Sequence, residues 1–203
     1  QGDIDEAYKI LSEPVLSNKG EILYRAFVMT DEGSLSDYLG VEIKELPNGC
    51  IKLSQPHLIQ SVLDDLNFNE RTGTKKTPAS AAVKLNRDIH GETMKDDWSY
   101  RAIIGKMNFI EKSTRPDIAY AVHQCARFSS DPKESHATAV KQIGKYLLAT
   151  KDKGMILNPK DHSFDCWVDA DFVGNSDRVY ADVDPGTAKS RAGYIITYGA
   201  CPI

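Results

Sequence analysis

Three times in succession between residues 97 and 150, apolar side chains recur every three or four positions, and segments patterned this way cannot fold apart from one another. The first, about Asp97–Ser113, places Tyr100, Ile103, Ile104, Met107 and Ile110 on one helical face. The second opens at Arg115-Pro116-Asp117 behind Ser113 or Thr114 as cap and carries Ile118, Ala121, Val122, Cys125 and Phe128. The third opens at Asp131-Pro132-Lys133-Glu134: Asp131 can cap, Pro132 suits a first helical position, and Glu134 can close a capping box. Its stripe is Ala137, Val140, Ile143, Tyr146 and Leu147, and Lys151-Asp152-Lys153-Gly154 supplies basic residues for the negative end of the helix dipole and then a glycine stop. Each stripe needs a neighbour to bury it, so the pattern predicts a small helical bundle.

On either side the period changes from helical to alternating. Leu39, Val41 and Ile43 alternate with Tyr38, Gly40, Glu42 and Lys44, Pro47-Asn48-Gly49 supplies a turn, and Ile51 and Leu53 alternate with Cys50, Lys52 and Ser54. This predicts a β-hairpin with one apolar face over Tyr38–Ser54. From Pro56 to Asn67, Leu58, Ile59, Val62, Leu63 and Leu66 return to helical spacing, and residues 70–96, rich in Thr, Lys, Gly, Pro and Ser, read as an exposed connector. After Met155-Ile156-Leu157 and the turn residues Asn158–Asp161, Cys166-Trp167-Val168-Asp169-Ala170-Asp171-Phe172 reads as a strand that ends in carboxylates and then a turn at Gly174-Asn175. Lys189–Tyr198 reads as its pairing partner, across a long acidic connection at Ser176–Gly186. Residues 1–33 are acidic and weakly patterned, with a helix expected around Ile4–Leu11 and an apolar cluster at Tyr24–Met29. The fold class expected is mixed α/β of the α+β kind: a hairpin, a helical middle, and an incomplete β-rich end.

At 203 residues and 41% hydrophobic, the chain can bury a core for one domain or two small ones. Its net charge of −4 argues against a polyanion partner, but the charge is unevenly spread: residues 1–50 carry 4 basic and 10 acidic groups, whereas residues 98–160 carry 11 basic and 5 acidic. A polyanion would meet that basic block, whose helix surfaces hold Arg101, Lys106, Lys112, Arg115, Arg127, Lys141 and Lys145. Cys50, Cys125, Cys166 and Cys201 form no C-x-x-C pair, and the five histidines have no metal-ligand spacing, which points to reduced thiols in an intracellular setting. No apolar run approaches the roughly 20 residues that span a bilayer, and no signal-peptide pattern opens the chain. The start at Gln1-Gly2-Asp3 is consistent with a position inside a longer reading frame.

Eight strings then fall in a recognisable order. They are Tyr38-Leu39-Gly40-Val41-Glu42-Ile43, Ile51-Lys52-Leu53-Ser54-Gln55, Thr77-Pro78, Tyr100 to Met107, Thr114-Arg115-Pro116-Asp117 running on to Val122, Tyr146 to Gly154, Asp169-Ala170-Asp171 with Gly174, and Lys189-Ser190-Arg191-Ala192-Gly193-Tyr194. Together, over about residues 30–203, they resemble the pol region of copia-type LTR retrotransposons.

That resemblance implies three parts: the end of a reverse-transcriptase palm with a primer-grip-like hairpin (1–55), thumb and connection helices (56–157), and the truncated opening of an RNase H-like domain (158–203). It implies partners, namely an RNA:DNA hybrid, a primer-template duplex and the remaining parts of the pol polyprotein, without a membrane, in a cytoplasmic particle or the nucleus. Tyr38, Gly40, Glu42 and Lys52 would belong to the primer-grip-like hairpin, and Arg101, Lys106, Lys112, Arg115, Lys141 and Lys145 would meet the duplex backbone, which asks only for sequence-neutral positive charge. Asp169 matches the first metal-binding aspartate of RNase H, a catalytic ligand of Mg²⁺, with Asp171 as a second candidate for the same ion. The aromatic-x-Asp-Asp turn of the polymerase site is missing. Asp64-Asp65 and Asp96-Asp97 are the only adjacent aspartate pairs, one inside a helix pattern and one at a helix start. The segment is therefore expected to support RNA-directed DNA synthesis and template cleavage within the full polyprotein and to catalyse neither alone. The alternatives are a non-catalytic nucleic-acid-binding or structural module from a decayed element, and a helical interaction domain.

Overall fold

The structure, a computed structural model, describes residues 11, 15–20, 22–24, 36–69, 71–80, 83–172 and 184–203. It divides into two compact units, residues 1–35 and 36–203. In the first, β1 (Val15–Leu16) pairs antiparallel with β2 (Ile22–Tyr24). The helix expected at 4–11 and the apolar cluster expected at 24–29 lie outside the described residues, Leu11 and the Tyr24 backbone apart.

The second unit is α+β. Strands β3 (Asp37–Tyr38), β4 (Val41–Glu45), β5 (Ile51–Ser54) and β6 (Met155–Leu157) form an antiparallel sheet in that order. Helices α1 (Pro56–Asp65), α2 (Tyr100–Ser113), α3 (Ala119–Ala126) and α4 (Glu134–Ala149) lie between β5 and β6 in the chain. Strands β7 (Phe164–Asp171), β8 (Arg191–Tyr198) and β9 (Cys201–Pro202) make a second antiparallel sheet.

The helical stripes meet in one core. Ile59, Val62, Leu63 and Leu66 from α1 and its end, Tyr100, Ile103, Ile104, Met107 and Ile110 from α2, Ile118, Ala121, Val122 and Cys125 from α3 and the turn before it, and Ala137, Val140, Ile143 and Leu147 from α4 are all buried there. At roughly 1.5–3 kcal/mol for each large side chain withdrawn from water, this cluster is the main source of cohesion. The Tyr100 hydroxyl donates to the Cys125 carbonyl at 2.9 Å, so the stripe's polar tip is satisfied within the core. Burial pushes the Cys125 thiol up to about 12, which makes it a small apolar filler rather than a reactive group.

Four expectations are corrected in detail. The strand expected through Tyr38–Lys44 is broken by a two-residue turn at Leu39-Gly40, where both residues have positive φ (53° and 77°), so β3 folds back on β4. The first bundle helix starts at Tyr100 instead of Asp97, because Ser99 is the residue whose side chain accepts from the Ala102 N–H. The third starts at Glu134 instead of Pro132. The Pro132 carbonyl accepts from Met94 N–H, and Lys133, extended, bridges to Thr93, so Pro132-Lys133 is held out of the helix by an upstream segment. The box at this helix start is closed by His136, whose Nδ1 accepts from the Lys133 N–H at 2.9 Å. Finally, the connector has little regular structure but runs antiparallel along α4: Lys75 N–H bonds to Lys145 O, His136 Nε2 to Asn86 O, and Glu134 N–H to Glu92 O. Ala79, Leu85 and Met94 pack against the core from it.

Candidate nucleic-acid interface

The first group of candidate residues sits on the small sheet. Tyr38 ends β3, Leu39 and Gly40 form the turn, and Glu42 lies on β4. By sequence Leu39 is one more member of an alternating strand, yet it combines a left-handed backbone with 72% exposure at the tip. A γ-branched residue costs roughly 1–2 kcal/mol there relative to glycine, and its side chain gains no burial in return. Behind the tip, the Ser54 hydroxyl donates to Glu42 Oε2 at 3.0 Å and Lys52 Nζ donates to the Asp152 carbonyl at 2.7 Å. Glu42 and Lys52 thus brace the sheet, while Tyr38 and Leu39 are exposed.

The second group lies on the helices, and the structure sorts it. Lys106 donates to Asp65 Oδ2 at 2.6 Å and to the Ser61 hydroxyl at 2.8 Å, tying α2 to α1. Lys141 pairs with Asp96 at 2.7 Å, tying α4 to the connector. Lys145 is half-buried on α4. Arg115 corrects the expectation of an exposed face: it is 2% exposed, and four of its five N–H donors are spent inside the protein. Its Nε and Nη2 bind the two Asp117 oxygens at 2.9 and 2.8 Å, and its Nη1 and Nη2 reach the Thr150 carbonyl and hydroxyl at 3.0 and 2.7 Å. Burial pushes the Asp117 carboxyl up, but hydrogen bonds from Arg115 and Tyr146 outweigh it and hold the group below the ordinary carboxylate range.

Arg101 and Lys112 remain exposed with no hydrogen-bond or ion-pair partner among the described residues. Eleven positions apart, they lie almost on one line along α2, about 16 Å from end to end, with Gly105 and Asn108 between them. Gly105 is the residue that composition and charge did not single out. A Cβ built there meets nothing within 4 Å, whereas one at Gly144 in α4 would come 2.5 Å from Leu66 Cδ1 and 2.9 Å from Phe68. Packing explains Gly144 and does not explain Gly105. An exposed glycine inside a helix costs about 1 kcal/mol relative to alanine, and it bares the backbone between two free cations. The legible signal was a glycine inside a strong helical period with a charged residue four positions before it.

The third group lies on β7. Strand alternation places Asp165, Trp167, Asp169 and Asp171 on one face, and in the register Asp169 stands opposite Gly193 and Asp171 opposite Arg191. Both aspartates are exposed. Among the described residues no three carboxylate, imidazole or thiol groups converge, so Asp169 and Asp171 offer at most part of the oxygen shell that Mg²⁺ requires, and this arrangement does not by itself fit a resident ion. The Gly174-Asn175 turn lies outside the described residues. The opposite face of the β7–β8 pair carries Phe164, Cys166, Val168, Tyr194 and Ile196, all exposed.

No helix among the described residues is long and apolar enough to cross a membrane. No family model matches the sequence, and no solved structure matches it. The chain is similar to the retrovirus-related Pol polyprotein from transposon RE1 of Arabidopsis thaliana, 32% identical over 190 residues that make up 93% of this chain and 12% of that protein. It is 30% identical over 186 residues to the retrovirus-related Pol polyprotein from transposon TNT 1-94 of Nicotiana tabacum, 89% of this chain and 13% of that one. The putative transposon Ty5-1 protein of Saccharomyces cerevisiae is 29% identical over 129 residues, 64% of this chain and 41% of its own length. The chain thus spans about 12% of the length of the first of these relatives.

Proposed function

We propose, for a chain that belongs with the retrovirus-related Pol polyproteins of copia-type transposons, that residues 36–157 hold an RNA:DNA primer-template duplex for a reverse transcriptase. The observation that carries the reading is the exposed, unpacked Gly105 between Arg101 and Lys112 on α2. A duplex recognised by its backbone and sugar edges calls for a few sequence-neutral cations and a surface low enough for close approach. Five of the eleven basic residues in 98–160 are tied in ion pairs, so the charge available to phosphate is concentrated in fewer groups than composition suggests. The exposed Tyr38-Leu39-Gly40 tip is the primer-grip element in this reading, and Asp169, with Asp171 beside it, is this chain's share of an Mg²⁺ site in the RNase H-like region.

Binding of a labelled RNA:DNA hybrid, followed by anisotropy across a salt series, tests the duplex reading. Hybrid affinity should fall steeply with salt, and each of Arg101→Ala and Lys112→Ala should shallow the log–log slope by about 0.9. Gly105→Leu should weaken binding by obstructing approach while leaving the slope unchanged. Absence of hybrid binding at low salt by the folded chain would overturn the reading.

A further inference from the structure

Residues 56–154 leave the four-stranded sheet after β5 and rejoin it at β6, the strand that pairs directly with β5. The excursion begins and ends at one neck. Gly154 lies so close to the sheet that a Cβ there would sit 2.1 Å from the Leu53 carbonyl oxygen. Gln55, 1% exposed, accepts from the Thr114 hydroxyl at 2.9 Å, which joins the end of β5 to the end of α2. Lys52 reaches the Asp152 carbonyl across the same gap.

Arg115 stands beside this neck and joins its two sides indirectly: its neighbour Thr114 is bonded to Gln55 at the end of β5, and its own partners are Asp117, Tyr146 and Thr150. It follows Thr114 and precedes the turn into α3, and its guanidinium crosses to Thr150 at the end of α4, just before β6. The Tyr146 ring lies under the guanidinium, 5.5 Å from its carbon, and the Tyr146 hydroxyl donates to Asp117 Oδ2 at 2.7 Å. A buried cation surrounded by acceptors resists displacement, because moving it strips the guanidinium of four hydrogen bonds inside the protein and parts its charge from the Asp117 carboxylate. A neck held only by apolar contacts would slide more readily, since such contacts have no preferred direction.

We infer that Arg115 is a positioning residue: it locks the sheet bearing the Tyr38-Leu39-Gly40 tip to the helical body bearing the Arg101–Lys112 face, so that the two present themselves at one fixed angle. Its consequence for binding rests on the duplex reading above, since a fixed angle matters only if both surfaces engage one ligand. Arg115 then supports binding without touching the duplex.

The lock is tested directly by electron–electron distance measurement between nitroxides at Glu45→Cys on β4 and Thr138→Cys on α4. A Cys166→Ser background is required, because Cys166 is the exposed thiol while Cys50, Cys125 and Cys201 are buried. The distance distribution should be narrow with Arg115 present and broad in Arg115→Met and in Thr150→Val, which removes one acceptor and leaves the cation. Thr150→Val decides the matter if Arg115→Met does not fold. Unchanged widths in the folded variants would overturn the lock. In the hybrid-binding assay Arg115→Met should weaken affinity about three- to tenfold at an unchanged salt slope, whereas Lys112→Ala lowers the slope by about 0.9. A slope reduction in Arg115→Met equal to that of Lys112→Ala would make Arg115 a phosphate contact and overturn the assignment. If the unmodified chain binds no hybrid, the duplex reading fails while the distance measurement still decides the lock.

Discussion

His136 shows how a single residue couples local chemistry to the stability of the whole. It is fully buried, stacks on Phe128 with ring centroids 4.0 Å apart, accepts the Lys133 N–H at Nδ1 and bonds the Asn86 carbonyl through Nε2. Burial holds its pKa below the ordinary histidine value, and the geometry agrees, since a proton added at Nδ1 would face the Lys133 N–H. The unfolded chain therefore takes up a proton at about pH 6.5, where the folded chain does not. The stability associated with neutral His136 is complete above that pH and is lost as pH falls toward the depressed folded value. The urea midpoint should drop between pH 7.5 and pH 5.5, and His136→Gln, less stable at neutral pH, should flatten that part of the profile. A profile unchanged by the substitution would assign the acid sensitivity to other groups.

At the scale of elements, the same substitution should act oppositely on two helices. Gly144→Ala forces a methyl into Leu66 and Phe68 where α4 crosses α1, at a cost of about 1–3 kcal/mol. Gly105→Ala on α2 meets open space and should stabilise by about 1 kcal/mol through helix propensity alone. Chemical denaturation of the two variants measures both signs, and a loss of stability in Gly105→Ala would mean that α2 has a packing demand there. The stripes of α2, α3 and α4 were readable because burial follows the 3.6-residue period, and every residue of the Tyr100–Ile110 stripe is buried. The start of α4 was not, because Lys133 is held extended by Thr93, and no local pattern announces a partner that distant. The burial of Arg115 is illegible for the same reason: its fate is set by Thr150, 35 positions away. Gly105 and Leu39 were visible as letters, but their meaning depends on empty space and a backbone angle that composition does not carry.

At the scale of the molecule, the β7–β8 pair is, among the described residues, the exposed apolar surface that most invites association. Val168 is 78% exposed, Tyr194 73% and Phe164 70%, all on one face of the ladder. A sheet face of this kind drives self-association unless something covers it. Sedimentation should show concentration-dependent association of this chain, and the charge-neutral double substitution Val168→Gln with Tyr194→Gln should reduce it while leaving hybrid binding intact. Association unchanged by the double variant would point to a different surface. The pairing of Leu53 with Met155 has a consequence for how the molecule comes into being. When β5 emerges from the ribosome its neighbour is still about a hundred codons away, and at synthesis rates of roughly 5–20 residues per second the strand waits several seconds with one edge open. The four helices are made entirely within that interval, so the bundle can condense first and draw the sheet closed when β6 arrives.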